Sequence, residues 1–395
     1  MKYPHGSDYS KWLSDELGYL GYFGWTGEYI SNEDRGTSTI TYTTSNNGIV
    51  TYGASMWTSN GIGFFADIDG NELHVISNTY ENGVGTLTFD GVISKIGSRM
   101  FNFRDNLTSI VLPNTITEIG EQAFWQCNNL KRITCLSKQA PTIFDGTFSY
   151  IGYGGILIYP EESDYDDWLV TKEHYLGYQD WQGVRYNTEK GEYVGCSIID
   201  YTTSDDQLYY PNYNELRDAN GKILREVENT YEKQGKIVLS GELETAGVCS
   251  FGKDSRLTSI SLPASLKSLD TGALGSGFIG GGVSMNLQSI VTYATIAPSI
   301  DKHTFYGISR NGVLYCPEES DYSSWFSGEY GLGNYGWTIK TLEEYEASPI
   351  KEVSGDEIRT KKINYAINGE RQPIPRKGIN IIKYSDGLTR KVLIK

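Results

Sequence analysis

Apolar residues in the middle of the chain recur in a unit of about 23 residues. The clearest unit begins at Leu107 as Leu-x-x-Ile-x-Leu-Pro and continues as Ile-x-x-Ile-Gly-x-x-Ala-Phe towards Cys127. The opening places alternate apolar residues on one face of a short strand, which Pro113 ends because it has no N–H to donate. The continuation predicts a turn or short helical stretch behind the strand. Such a unit buries little surface alone, so the pattern predicts a β-rich solenoid of stacked repeats.

The same series of units occurs in two parts of the chain. Leu257 follows Leu107 by 150 residues, whereas Leu287 follows Leu130 by 157, so seven residues are inserted in the second series. Residues 275–280 lie at this insertion and formally match GxGxxG. They do not follow the strand of a βαβ unit, so we interpret them as a flexible loop and not as a nucleotide site.

An aromatic motif ends each series. Its three copies begin at Tyr3, Tyr159 and Cys316, and they share a Pro, a Ser-Asp-Tyr step and two tryptophans. The six tryptophans are Trp12, Trp25, Trp168, Trp181, Trp325 and Trp337. Residues that recur at a fixed period are first of all packing residues, so the motif predicts an aromatic clasp that closes each module. A sugar-stacking platform is the alternative interpretation.

The copies of the motif divide the chain into four parts. Residues 1–37 are the closing segment of a preceding module, 38–193 and 194–346 are two repeat modules, and 347–395 form a tail. Turn dipeptides at Asn368-Gly369 and Asp386-Gly387 predict three short strands in the tail. Because the first motif starts at Tyr3 with no signal peptide before it, we expect the chain to be a fragment or processed form of a longer protein.

Charge is unevenly distributed along the chain. The net charge is −15, but residues 351–395 carry eleven Lys/Arg and five Asp/Glu, which leaves about −21 on the remainder. An acidic body repels nucleic acid and anionic membrane, so we predict no nucleic-acid partner. No apolar run reaches the roughly 18–20 residues that span a bilayer. The odd number of cysteines and the lack of CxxC spacing predict small buried apolar residues.

The repeat unit resembles the BspA-type leucine-rich repeats of surface proteins from gut and oral anaerobic bacteria. The Ala-Phe-x-x-Cys ending at Cys127, the Leu-Pro corner at Pro113 and the closing Tyr-Pro…Tyr…Trp segment are typical of that family. The resemblance covers nearly all of residues 1–346 and implies leucine-rich-repeat (BspA-type) solenoid modules with short helices or 3-10 turns. The small all-β tail is similar to C-terminal segments of exported proteins from the same bacteria, some of which are sorting domains.

Few residues point to catalysis or to a bound metal. Residues 67–72 resemble part of a calcium loop, but Lys222 of the second module replaces Glu72, which favours a turn. The histidines fall at unrelated repeat positions and suggest no catalytic pairing. We therefore predict no enzyme activity, no cofactor and no metal site.

The sequence predicts binding through the outward side chains of the strands, because a repeat arc presents its strands as one extended surface. These positions in the first module are Thr88, Asp90, Ser109, Val111, Arg132 and Thr134. Those in the second module are Ser259, Ser261, Ser289 and Val291. The resemblance implies an extracellular, outer-membrane-associated adhesion protein that binds a host matrix or bacterial surface protein. Two alternatives stay open: a glycan-binding protein with exposed aromatics along one groove, and a structural component of a surface or virion assembly.

Overall fold

A computed structural model describes residues 36–53, 63–252, 254–276 and 286–347, together with the backbone of six strands near the termini. The chain forms two compact units, Met1–Tyr345 and Glu346–Lys395. The larger unit is a β-solenoid of about ten turns with few short helices, which confirms the predicted fold class. No helix within the described ranges is long and apolar enough to cross a membrane.

Two sheets form the first half of the solenoid. The long sheet has the strand order β15-β14-β13-β11-β9-β3-β7-β6, and the short sheet has the order β12-β10-β8-β4-β5. A separate parallel pair, β1-β2, precedes them. These strands are β1 (Lys2–Pro4), β2 (Glu28–Ile30), β3 (Ser38–Thr44), β4 (Phe65–Ala66), β5 (Glu72–Leu73), β6 (Val75–Glu81), β7 (Val84–Phe89), β8 (Lys95–Ile96), β9 (Leu107–Leu112), β10 (Glu118–Ile119), β11 (Arg132–Cys135), β12 (Thr142–Ile143), β13 (Ile156–Pro160), β14 (Gln182–Asn187) and β15 (Glu192–Val194).

The second half repeats this plan with a seven-stranded sheet, β18-β19-β16-β21-β23-β25-β26, and a four-stranded sheet, β17-β20-β22-β24. Its strands are β16 (Ile198–Thr203), β17 (Leu216–Arg217), β18 (Glu226–Tyr231), β19 (Gly235–Leu239), β20 (Thr245–Ala246), β21 (Leu257–Leu262), β22 (Ser268–Leu269), β23 (Ser289–Thr292), β24 (Ser299–Ile300), β25 (Val313–Cys316) and β26 (Thr338–Thr341). The helices are α1 (Ser323–Phe326) and α2 (Leu342–Ala347), and the 3-10 turns are Asp166–Trp168, Leu176–Gln179, Tyr213–Glu215 and Leu332–Tyr335.

Each repeat supplies one strand to each sheet. The Leu-x-x-Ile-x-Leu pattern forms the predicted strand, β9, and this strand pairs in parallel with β11. The stretch behind it contains a two-residue strand, β10, where the sequence predicted a turn or helical stretch. The backbone of β10 pairs in parallel with β8 and β12 of the neighbouring repeats, so stacking decides its conformation.

The core of each module lies between its two sheets. One buried apolar cluster runs from Ile40 to Trp181 and a second runs from Ile199 to Trp337. Corresponding phenylalanines of successive repeats stack inside the first cluster: the ring centroids of Phe101 and Phe124 are 5.3 Å apart, and the next pair is 5.9 Å apart. The apolar positions predicted from the repeat therefore face inwards, where they bury the area that stabilises the solenoid.

The tryptophans of the closing motif are buried in both modules. Trp168 Nε1–H donates to the Pro141 carbonyl at 3.0 Å, and Trp325 makes the same bond to Pro298 at 2.8 Å. Trp181 is 3% and Trp337 is 4% exposed. These four indoles are packing residues, so they offer no platform for a sugar. Trp12 and Trp25 of the first copy lie outside the described residues.

The tail is a four-stranded antiparallel sheet in the order β28-β27-β29-β30, where the sequence predicted three strands. Its strands are β27 (Lys362–Ala366), β28 (Arg371–Gln372), β29 (Gly378–Tyr384) and β30 (Thr389–Ile394). The additional strand, β28, has only two residues and is recognisable by its pairing with β27. Both turn dipeptides, and residues 277–285 of the inserted loop, lie outside the described residues.

The cysteines follow the sequence prediction: Cys127, Cys135, Cys249 and Cys316 are buried, and Cys196 is half-buried. Among the described residues, no group of three or more His, Cys, Asp or Glu side chains is arranged to hold a metal.

Candidate binding surface

The strand pairing aligns the predicted binding residues of the first module across neighbouring strands. Ser109 lies opposite Arg132, and Val111 lies opposite Thr134. The Ser109 hydroxyl is 2.6 Å from that of Thr43 on β3. Thr88 lies farther along the sheet, on β7. In the second module Ser259 pairs with Ser289, and its hydroxyl is likewise 2.6 Å from that of Thr202.

Three of the ten predicted residues are buried, at 8% exposure for Asp90, 5% for Ser261 and 3% for Val291. The Asp90 carboxylate accepts the His74 backbone N–H at 2.8 Å. The Ser261 hydroxyl accepts the Asp200 N–H at 2.7 Å. These side chains are used within the fold, so the accessible part of the predicted surface consists of the other seven.

Helix α2 contributes to the outward face of the second module. It brings Tyr345 to Tyr315 of β25, with ring centroids 5.1 Å apart. Burial, followed by the nearby Tyr293 and Asp200, raises the pKa of Tyr345. The segment Leu-Glu-Glu-Tyr-Glu-Ala is rich in helix-forming residues. This composition could have predicted the helix, but the sequence was interpreted from its repeat pattern alone.

The two modules meet through the outward faces of their long sheets. Ile156, Ile158 and Val184 of the first module form a buried cluster with Val227 and Val238 of the second. This apolar contact explains why both faces of β13 are buried. The outward face is therefore covered at the end of the first module and accessible nearer its middle.

A single amide side chain adds polar contacts to this junction. Gln182 Nε2–H donates to the Ile223 carbonyl at 2.7 Å, and its Oε1 accepts the Ser240 hydroxyl at 2.5 Å. The Arg225 guanidinium also contacts the Asp180 carboxylate of the first module. Bonds of this kind fix orientation as well as separation, so the modules hold one geometry.

Beside the junction lies an open cleft of about 590 Å³. The first module lines it with Ser109, Lys131 and Arg132, among others, and the second with Tyr213, Arg225 and Glu226. Two of the ten predicted residues, Ser109 and Arg132, are thus brought into one concave site. Sequence reasoning missed the contribution of the second module, because only tertiary packing brings it there.

The charged groups of the cleft fall into two sets. Tyr213 O–H donates to the Glu226 carboxylate, and burial followed by this bond raises the pKa of Tyr213. Arg225 is paired with Asp180. In contrast, Lys131 and Arg132 make no side-chain hydrogen bond or ion pair with any described residue. The cleft therefore presents two available cations on an acidic protein.

These cations are specific to the first module. The repeat positions of Lys131 and Arg132 are occupied by Gln288 and Ser289 in the second module. Packing of the repeat therefore does not require a positive charge at either position.

The loop that resembles a calcium site is a hydrogen-bonded turn. Asp67 Oδ1 accepts the backbone N–H groups of Asp69 at 3.0 Å and Asn71 at 2.8 Å. Asp218 accepts the same pair of bonds in the second module, from Asn220 and Lys222. These bonds place Lys222 at the position of Asn71, so the sequence alignment of Lys222 with Glu72 was wrong by one residue. The shared geometry supports the turn interpretation.

Comparison with known proteins supports the repeat assignment. Residues 78–160 match the family model of the BspA type leucine-rich repeat region, described with six copies. Over these residues the match confirms the resemblance inferred from the sequence. No curated protein and no solved structure matches the chain.

Proposed function

We propose that this BspA-type leucine-rich repeat solenoid is a non-catalytic binding protein of the cell surface or extracellular space, and that it captures a protein partner. Repeats of this family suggest a surface or adhesion-type protein. The binding surface is the outward strand face of the first module together with the adjoining cleft. The observation that carries the proposal is the pair of available cations, Lys131 and Arg132, in a cleft between two fixed modules.

The geometry of the cleft favours binding in two ways. Its walls belong to modules that are already held together by Gln182 and by an apolar cluster, so little conformational entropy is lost when a partner binds. A concave site also surrounds an anchoring side chain better than a flat sheet does. Both features favour a partner that inserts a protruding segment.

The charges indicate what that segment carries. Arg132 presents planar donors that match a carboxylate, and the neighbouring Lys131 adds a second positive charge. The hydroxyls of Ser109 and Thr43 lie on the same wall and add neutral hydrogen-bonding groups. We therefore infer that the partner places an acidic side chain in the cleft.

The fold also favours binding over catalysis. A solenoid of this family is typically a scaffold for binding. The carboxylate of Glu226 in the cleft is already bonded to Tyr213.

A paired charge reversal tests the proposal. The full chain is immobilised and exposed to a panel of purified extracellular matrix proteins and to intact bacterial cells. The variant Lys131→Glu with Arg132→Glu is expected to weaken capture at least about tenfold, and the capture by the native chain is expected to fall as salt rises. The matched control is Gln288→Glu with Ser289→Glu, which changes the same repeat positions of the second module.

Capture that is lost in the first variant and kept in the control supports the proposal. Equal capture by both variants, or no capture of any panel member by the native chain, overturns it. Unchanged far-UV circular dichroism and urea midpoint establish that both variants are folded.

A further inference from the structure

A groove crosses the short sheet of the first module, away from the cleft. It has a volume of about 430 Å³ and is lined by Phe64 and Phe144, which are 48% and 47% exposed. Two exposed aromatic side chains along one groove give it an apolar surface that a ligand can cover. The sequence singled out neither residue, because both lie in loops of the repeat.

Glycines form the floor of this groove. A Cβ at Gly97 would lie 2.5 Å from the Phe64 backbone nitrogen, and one at Gly120 would lie 2.5 Å from that of Ser98. Successive turns therefore approach each other so closely that these positions of the floor require glycine, and backbone lines the groove there.

Polar groups lie beside the aromatic ones. Lys95 and Glu118 are paired across β8 and β10, with Nζ and Oε2 3.8 Å apart, and both side chains are partly exposed. Together they offer a donor and an acceptor next to each other on the groove wall. Aromatic surface with a few polar groups is the composition of a small-ligand site.

The second module shows that this arrangement is not needed for folding. Its repeat positions carry Glu215 in place of Phe64 and Asp301 in place of Phe144. Asp270 replaces Gly120, whereas Gly97 has a glycine counterpart in Gly247. The aromatic walls therefore belong to the first module alone.

We propose that this groove binds a neutral polysaccharide, with pyranose rings against Phe64 and Phe144. A pyranose presents C–H groups on its ring faces and hydroxyls at its rim. The faces suit the aromatic walls, and the hydroxyls suit Lys95 and Glu118. The site is independent of the cleft and lies on the other sheet of the module.

The sheet beneath the groove disfavours a peptide as the occupant. Strands β8 and β10 have neighbours on both sides, so an extended peptide cannot add to them as a further strand. The outer strand β12 has only two residues, Thr142–Ile143, which offers little edge for such pairing. A ligand must therefore bind through side chains and ring faces, as a glycan does.

Affinity electrophoresis of the full chain through gels that contain soluble β-glucan, xylan, mannan or starch tests this site. The native chain is expected to be retarded by at least one of these polymers. The variants Phe64→Glu and Phe144→Asp introduce the residues of the second module, so the repeat is known to accommodate them. Each is expected to weaken retardation at least about tenfold, because a stacked ring contact is replaced by a charge.

The control is Tyr153→Ala, which removes an aromatic side chain that is 66% exposed and lies outside the groove. Retardation that survives in the control and is lost in the two groove variants supports the site. No retardation by any polymer, or equal retardation of all variants, overturns it. If peptides from a library bind in a Phe64-dependent way and no polymer retards the protein, the polysaccharide site is also overturned, in favour of a protein ligand. Since these variants leave Lys131 and Arg132 intact, the outcome is separable from the protein-capture test.

Discussion

Val227 and Ile76 occupy the same repeat position, two residues before matching Asn-Thr-Tyr-Glu segments, yet Val227 is 1% exposed and Ile76 is 51% exposed. The difference arises because Val227 packs against Ile156, Ile158 and Val184 at the module junction. An aspartate at residue 227 would bury a carboxyl group in that apolar cluster. We expect Val227→Asp to lower the free energy of unfolding by about 3 kcal/mol.

Ile76→Asp is the matched control for this junction. Its side chain stays in solvent, so the free energy of unfolding is expected to change by less than about 0.5 kcal/mol. Urea denaturation followed by far-UV circular dichroism measures both variants. Equal effects of the two substitutions would contradict the junction described above.

The indole bond of the clasp gives a second prediction. In Trp168→Phe the Pro141 carbonyl loses its donor, 3.0 Å away in the native protein, in a buried site. An unsatisfied buried acceptor costs about 1–3 kcal/mol, so the urea midpoint of the first module is expected to fall. Trp325→Phe is expected to give a similar loss in the second module, because its bond to Pro298 is equivalent. A midpoint unchanged in both variants would show that the bond contributes nothing.

Alkaline pH is expected to destabilise the protein through Cys127. Burial raises the pKa of this thiol from 9.0 to about 12, and its S–H donates to the Phe101 carbonyl at 2.9 Å. Because the folded pKa is raised, the stabilisation is complete below pH 9 and is lost as the pH rises towards 12. Cys127→Ala lacks this ionisation, so the stability advantage of the native protein should shrink as the pH rises from 9.0 towards about 12. Urea midpoints at several pH values measure it, and parallel curves for the two proteins would contradict it.

The turn at Asp67 gives a prediction that separates it from a calcium site. Asp67→Ala removes the acceptor of the Asp69 and Asn71 N–H groups, so a loss of about 1 kcal/mol is expected. The loss should be the same with calcium and with a chelator, and Asp218→Ala should behave alike. A melting temperature of the native protein that rises with calcium, but not in Asp67→Ala, would restore the calcium interpretation.

Local alternation was enough to predict the strands of the long sheets. Leu107–Leu112 and Leu257–Leu262 form strands where the Leu-x-x-Ile-x-Leu pattern lies, because the three apolar residues of each pattern are buried in their own module. The two-residue strand Glu118–Ile119 was not predictable, since its conformation depends on pairing with neighbouring repeats. Helix Leu342–Ala347 was missed because it interrupts the repeat instead of following it.

The candidate sites were only partly predictable for the same reason. Ser109 and Arg132 were identified as outward-facing, but their cleft depends on Arg225 and Glu226 of the second module. Ser261 was assigned to the same kind of surface and is buried.

The sequence by itself determined the repeat, the inward faces of its strands and the aromatic motif that closes each module, because these follow from spacing along the chain. The tertiary structure alone decided which outward residues are accessible. Contacts between residues far apart in sequence bury the outward face at Val184 and place Arg132 beside a cleft. Phe64 and Phe144, in contrast, remain exposed to solvent. Alternation fixes the side of the sheet to which a residue points, whereas exposure depends on what packs against that side.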